Sequence, residues 1–441
     1  MAWRSTVVAL LALLVVAAAA RGAAANGRPP ATSSITFREG HENEIIAGLT
    51  FGLIFSRDNG QSWEWMCENA IGYTGIYDPR YAFSNTGALF ATTFDGLKVV
   101  RDRCTFNPMP SGVSFTSATA TGPDGAFYFA LAQTADAQKQ LPADFKIYKS
   151  TDDGVTFPIS AKPGRADDTN VWWETLMVAP SNAQRLYVTG YSYMAVEPGG
   201  EAVRTQLLFR SDDGAVSWQA MSTTGLEPMT PDSVIQLVGI TSDDPSHLYV
   251  RVKNIDAGEG EAIYVSTNAG ESWALINRKE DPIAGFVVRR AKNSQGKHDL
   301  VIGTKVLGAE VSHDDGKTWT ALADAPHIGC LAESSAGEIW ACTQNYGDRF
   351  VLSDMAGLMK TTDLVTWTRV LRYQDLSEAV TCPAGTLQKD LCAEMWCALC
   401  VQLGCTPSAA YGCPMPVEAV PPPPPPPPTS GGCCDAGAAG G

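Results

Sequence analysis

Seven times along this chain a short apolar run leads into a variant of one phrase. It reads "SRDNGQSW" from Ser56, "RDRCTF" from Arg101, "STDDGVTF" from Ser150 and "RSDDGAVSW" from Arg210. It returns as "STNAGESW" from Ser266, "SHDDGKTW" from Ser312 and, shortened, "TTDLVTW" from Thr361. The shared pattern is Ser-x-Asp-x-Gly-x-Ser/Thr-Trp. An apolar run, an Asp-x-Gly turn and an aromatic residue make a β-hairpin. The Asp carboxylate accepts from the amides of its own turn. The Gly takes the left-handed position, and the Trp opens the next strand and buries a large ring. Such a turn is a structural device and needs no catalysis.

With the acidic residue of each phrase as a register mark, the marks are Asp58, Asp102, Asp152, Asp212, Asn268, Asp314 and Asp363. Their spacing runs from 44 residues (Asp58 to Asp102) to 60 (Asp152 to Asp212). The glycines are Gly60, Gly154, Gly214, Gly270 and Gly316, and the tryptophans are Trp63, Trp218, Trp273, Trp319 and Trp367. In the fourth unit this register implies one inserted residue before Ser217-Trp218. Upstream of each phrase lie two further strand-like runs, such as "ETLMVAP" and "RLYVTGY" in the fourth unit. Each unit is therefore strand a, turn, strand b, loop, strand c, Asp-x-Gly turn, strand d. Seven such units predict an all-β fold, a seven-bladed β-propeller of four-stranded antiparallel blades over residues 33–373.

The phrases resemble the Asp-box, or bacterial neuraminidase repeat, of sialidase-like propellers, which include sortilin-type receptors and photosystem II assembly factors. "SRDNGQSW" and "SHDDGKTW" are complete matches. The resemblance implies that the box turns lie on the face opposite the ligand site. A sialidase would also carry an early Phe/Tyr-Arg-Ile-Pro motif, but "ITFREG" offers only Phe37-Arg38 of it, and Arg38 reads as an ordinary surface arginine. No catalytic residue is assigned.

The ends differ in texture. Residues 1–25 have a basic start, an apolar run from Val7 to Ala20 and small residues at Ala23–Ala25, which read as a secretory signal peptide. Its removal takes away Arg4 and Arg21 and leaves a chain more acidic than its formal charge of −15. Such a chain is a poor partner for nucleic acid or an anionic membrane, and no later run is long enough for a spanning helix. Of twelve cysteines, six fall between Cys382 and Cys413, so residues 380–415 read as a disulfide-stapled segment with a short helix through Leu391, Met395, Leu399 and Leu403. A metal site at Cys397 and Cys400 is the rival reading; no second Cys-x-x-Cys or nearby His completes it. Within the body, Cys330 and Cys342 face each other if the hairpin of the seventh unit centres near Ala336. Residues 416–441 hold a polyproline linker and a Gly/Ala end with Cys433 and Cys434.

The sequence thus describes a secreted, periplasmic or cell-surface monomer. It calls for no cofactor or metal: the acid pairs Asp152-Asp153, Asp212-Asp213 and Asp314-Asp315 belong to the repeat. The function expected is non-enzymatic binding of carbohydrate or an extracellular protein, through loops opposite the boxes. The alternative is a glycoside hydrolase or lyase drawing on acids such as Asp78, Asp167, Asp168, Glu174 or Asp232. Long b–c loops in the third, fourth, fifth and seventh units gather aromatics, and long loops on a rigid scaffold carry function. The candidate binding residues are Trp172, Trp173, Tyr191, Tyr193, Tyr346 and Arg349, with one of the adjacent tryptophans free to serve as wall packing instead.

Overall fold

The structure, a computed structural model, describes residues 28–109, 115–138, 140–164, 170–195, 202–226, 230, 232–253, 260–376, 378–406 and 413. Residues 1–27, read above as holding a signal peptide, and the proline-rich residues 416–441 lie outside the described ones. Seven separate sheets succeed one another along the chain, each an antiparallel meander of four strands. Blade 1 comprises Thr32–Arg38, His41–Leu49, Gly52–Ser56 and Glu64–Met66 as strands a to d, and blade 7 comprises Cys330–Glu333, Ile339–Cys342, Leu358–Thr361 and Thr368–Leu371. The a strands of consecutive blades lie against one another, and Thr32–Arg38 meets Cys330–Glu333, which closes the ring. Strand b is covered on both faces by neighbouring blades, so Leu89–Thr93 and Phe127–Leu131 are buried at every residue. This is why b strands read as continuous apolar runs rather than alternating ones.

The Ser-x-Asp turns join strands c and d and share one hydrogen-bond plan. In blade 1, Asp58 Oδ1 accepts from the amides of Gln61 and Ser62 and from the Ser56 hydroxyl, while Ser62 Oγ donates to Oδ2. The Ser56 hydroxyl in turn accepts from the Gly60 amide. Two consecutive residues, Asn59 and Gly60, are left-handed, at φ 59° and 83°. The glycine is required by more than its φ: a Cβ on Gly60 would sit 2.7 Å from Trp340 of blade 7, and one on Gly316 would sit 2.8 Å from Ile276 of blade 5. Each of these turns is thus pressed against the preceding blade, and the repeat marks an inter-blade contact as well as a corner.

The register expected for the fourth unit is corrected. Asp213, not Asp212, accepts from Val216 N, Ser217 N and the Ser211 and Ser217 hydroxyls. Ala215, at φ 74°, donates its amide to Ser211 and fills the place of the glycine, while Gly214 takes the preceding left-handed position. No residue is inserted; the glycine has moved one place. Asp212 instead pairs with Arg185 and Arg210. The second acid of the sixth turn, Asp315, likewise pairs with Lys297. Among the described residues no group of three or more His, Cys, Asp or Glu could hold a metal ion.

Beyond blade 7 the chain forms a clasp. Tyr373 is buried and shares a hydrogen bond of 2.8 Å with Thr32 at the start of blade 1. Glu378–Ala379 then pairs in parallel with Glu64–Met66 as a fifth strand on blade 1. A π turn at Gln388–Cys392 leads into a helix, Ala393–Leu403, that ends at left-handed Gly404. Its buried side chains are Trp396, Leu399, Cys400 and Leu403, with Trp396 set 5.1 Å from Trp65; of the expected stripe Leu399 and Leu403 are buried, Met395 is half-buried and Leu391 stays 38% exposed. Disulfides join Cys67 to Cys392, Cys104 to Cys382, Cys397 to Cys413 and Cys400 to Cys405. Within blade 7, Cys330 and Cys342 are opposed in the register and bonded, with Cα atoms 4.8 Å apart. No helix among the described residues is long and apolar enough to cross a membrane.

Candidate functional site

The Ser-x-Asp turns occupy one rim of the ring, so the b–c and d–a connections occupy the other. On that opposite rim, rings from three blades pack side by side. Tyr77 leads into blade 2, Phe94 tips its b–c turn, Phe115 precedes strand a of blade 3, and Trp172 lies near the start of strand a of blade 4, Val171–Ala179. Ring centroids are 4.6 Å apart for Tyr77 and Phe94, 5.7 Å for Phe94 and Phe115, and 4.6 Å for Phe115 and Trp172. Trp172 stands opposite Tyr191 in the a–b register, which puts both on one face of the sheet. Tyr191 meets Tyr193 edge-on at 5.5 Å. Arg204, on the neighbouring c strand, lies 4.2 Å from the Tyr191 ring centroid and donates to the Tyr193 hydroxyl. Phe94 is 56% exposed and Tyr193 37%.

Beside this row a polar network crosses the mouth of the ring. Arg80 of blade 2 reaches over blade 3 to the backbone carbonyl of Glu174 in blade 4, at 3.0 Å. The Glu174 carboxylate accepts from Gln236 of blade 5 at 2.8 Å, and Gln236 accepts from Arg251. Arg251 also faces Glu261 at 3.7 Å, and Glu261 accepts from the Ile283 amide of blade 6. Burial lowers the pKa of the Arg251 guanidinium, partly opposed by Glu261; burial and then the nearby Arg251 charge lower that of Lys253. Burial, with Glu174 adding to it, raises the Tyr191 phenol.

The six candidate residues fall in four places. Trp172, Tyr191 and Tyr193 belong to the row. Trp173 does not: it is fully buried, and its indole donates to the Phe145 carbonyl, because adjacent strand residues point to opposite faces. Tyr346 is half-buried against Tyr373 and donates to the Leu403 carbonyl, so it anchors the clasp helix and is not presented to a ligand. Arg349 is exposed beside Phe350 on the blade 7 loop and makes no contact with the row. Among the acids, Asp78 holds Arg28 through both oxygens, and Asp167 and Asp168 lie outside the described residues. Asp232 offers its carbonyl to Arg204. Arg38 lies at the far end of strand a, bonded to Glu44 and to the Asn85 carbonyl, on the rim of the Ser-x-Asp turns.

Sequence reasoning passed over Tyr77, Phe94, Phe115 and the Arg80–Gln236–Arg251 network. Loop length was the wrong guide in blade 2, where Phe94 tips the short "TFDG" turn. A better signal was position: Phe115 and Trp172 occur at or just before the start of strand a in adjacent units, on the rim opposite the Ser-x-Asp turns.

No protein-family model matches this sequence, and no curated protein matches it. Among solved structures the chain is similar to the GH74 xyloglucanase of Xanthomonas campestris, at 16% identity and a TM-score of 0.39, covering 75% of this chain and 57% of that one. It is similar to the extracellular domain assigned to a hybrid two component system of B. thetaiotaomicron, at 13% identity and a TM-score of 0.47, over 71% of this chain and 37% of that one. It is also similar to an alpha-L-arabinanase of Penicillium chrysogenum complexed with arabinobiose, at 12% identity and a TM-score of 0.37, over 60% and 88%. The chain spans little more than half the length of the first of these proteins and less of the second. Likeness at this level carries no argument about ligand or chemistry.

Proposed function

We propose that this chain is a secreted propeller of the Asp-box type that binds carbohydrate, as a monomer, without transforming it. The observation that supports this is the row Tyr77, Phe94, Phe115 and Trp172, continued by Tyr191 and Tyr193 and bordered by hydrogen-bonding groups. Aromatic faces take the C–H face of a sugar ring, and polar neighbours fix its hydroxyls. The five disulfides fit an oxidising compartment. The rival reading, a glycoside hydrolase or lyase, rests on Glu174 and Glu261 beside the row. Both carboxylates already accept bonds from the fold itself, Glu174 from Gln236 and Glu261 from the Ile283 amide. A glycan array probed with the intact protein and with the Phe94→Ala/Trp172→Ala variant tests the proposal. Binding by the intact protein that the variant lacks supports it. Equal binding by a natively folded variant moves the site elsewhere, and steady release of reducing ends from a bound glycan establishes the rival.

A further inference from the structure

We propose that the b–c loops of blades 6 and 7 form a docking platform for the chain's own proline run, Pro421–Pro428, away from the aromatic row of blades 2 to 4. Val306 and Leu307 tip the b–c turn of blade 6, and Phe350, Leu352 and Met355 lie on the b–c loop of blade 7. All five are exposed, Phe350 at 70% and Leu352 at 81%. Lys305 and Asp348 tie the two loops together at 3.1 Å. The backbone that holds these side chains in the open is fixed by its own polar groups. Asp348 Oδ1 accepts from the amides of Phe350 and Val351, and Val351, between the two most exposed residues, is buried. Ser353 Oγ donates to the Asn345 carbonyl and accepts from the Met355 amide. Asp354 accepts from the Gln344 amide and meets His327 at 2.9 Å. An apolar patch held out on an ordered backbone marks an interaction surface.

Polar balance and chain path point to the occupant. The loop's carboxylates are taken up by the loop itself. The Arg349 guanidinium, 4.5 Å from the Phe350 ring centroid, makes no hydrogen bond among the described residues. The surface therefore offers a ring, aliphatic tips and a free donor. A proline run is the matching chain: it has carbonyls to accept and no N–H to satisfy, and its extended helix is set before it binds. Aromatic-lined surfaces take such runs. The run also starts nearby. Tyr346, on the same blade 7 loop, donates to the Leu403 carbonyl at the end of the clasp helix, and Cys413 is bonded to Cys397 of that helix. Pro421 follows eight residues after Cys413, a reach of up to about 28 Å, and the run itself covers about 25 Å. Tethering makes even a weak contact effective, since the local concentration is on the order of mM.

The test compares two full-length forms, the intact chain and one with Pro421–Pro428 replaced by alternating Gly and Ser. A fluorescein-labelled octaproline peptide is titrated against each by anisotropy. The replaced chain should bind the peptide, and the intact chain should bind it about tenfold more weakly, because its own run competes. In the replaced chain, Phe350→Ala and Arg349→Gln should each weaken the peptide about fivefold, while Phe94→Ala/Trp172→Ala leaves it unchanged; thermal melts confirm that all fold. Amide exchange over residues 346–357 should be faster in the replaced chain than in the intact one. No binding of the peptide by the replaced chain overturns the proposal. So does binding that Phe350→Ala leaves unaltered, and loss in the row variant instead would put the run on the row. Equal binding by the two forms, with equal amide exchange, overturns occupancy by the chain's own run. A concentration-dependent dimer that Phe350→Ala abolishes, without peptide binding, gives the platform to a second copy and overturns it as well.

Discussion

Cys67, at the end of blade 1, is bonded to Cys392, 325 residues further on in the clasp. Together with Cys104–Cys382 it fastens the C-terminal segment to the first two blades, so the ring is closed by strand contact and also tied covalently. Cross-linking so distant a pair restricts the unfolded chain strongly, although native-state strain can reduce the gain. Replacing Cys67 and Cys392 together by Ala should lower stability by about 2–4 kcal/mol. Equilibrium unfolding in urea under non-reducing conditions measures it; an unchanged midpoint would mean that this disulfide adds nothing to the strand pairing and packing that hold the clasp.

The Ser-x-Asp turns make a contrast between Ala215 and Gly316. Ala215→Gly should alter stability by less than about 1 kcal/mol. Relief of a left-handed alanine, about 1–2 kcal/mol, is offset by loss of a fully buried methyl, about 0.8, and by added backbone entropy, about 0.5–1. Gly316→Ala meets both penalties without compensation, a φ of 84° and Ile276 at 2.8 Å, and should cost about 2–3 kcal/mol. In the same melts Asp213→Ala should lower the Tm by more than Asp212→Ala, since Asp213 holds the turn and Asp212 pairs at the surface. The reverse order would restore the register read from the sequence.

The blades were legible because hairpin chemistry is local: a Ser, an Asp and a left-handed residue within five positions suffice to mark each corner. Even the error in the fourth unit was local, since "DDG" offers two registers and only the bonds to Ser211 and Ser217 choose between them. The clasp was half legible. Clustered cysteines announced disulfides, but the pairing of Cys67 and Cys104 with the C-terminal segment depends on where the chain returns after 325 and 278 residues. The site was least legible. Phe94, Phe115 and Trp172 come from three consecutive blades, and their meeting follows from how those blades pack against one another, with only their place near the start of strand a or at the b–c turn to mark it in the sequence.

The turns also set a pH dependence. Asp152 is held at about 2 by the Thr156 hydroxyl and amide, Asp314 at about 2 by the Thr318 amide and hydroxyl, and Asp363 at about 2 by the Thr366 and Val365 amides. Unfolded, such carboxyls titrate near 3.9. A depressed folded pKa contributes stability above the unfolded value, and that stability is lost as pH falls toward the folded one. The Tm should therefore be insensitive to these groups above about pH 5 and fall between about pH 4 and pH 2. A variant with Asn at all three positions, the residue that the fifth turn already carries as Asn268, should show a shallower fall across that window. An identical acid profile would place the sensitive groups elsewhere.

The adjacent tryptophans separate structure from function most cleanly. Trp173 is fully enclosed, packed with Phe209 at 6.3 Å and bonded to the Phe145 carbonyl, at the interface of blades 3 and 4. Its replacement by Ala empties a large core volume and should cost about 3–5 kcal/mol. Trp172, one residue earlier, is half-buried on the open rim against Phe115. Its replacement by Ala should cost about 1 kcal/mol or less but remove a stacking face from the middle of the row. Carbohydrate affinity should then fall at least tenfold, while the melt stays close to that of the intact protein. Phe94→Ala should behave as Trp172→Ala does, because the two rings are joined through Phe115. Denaturant unfolding and glycan binding measured on the three single variants decide the matter. If Trp172→Ala unfolds the chain as Trp173→Ala does, the row is core that happens to reach the surface, and the binding face lies on another part of the rim.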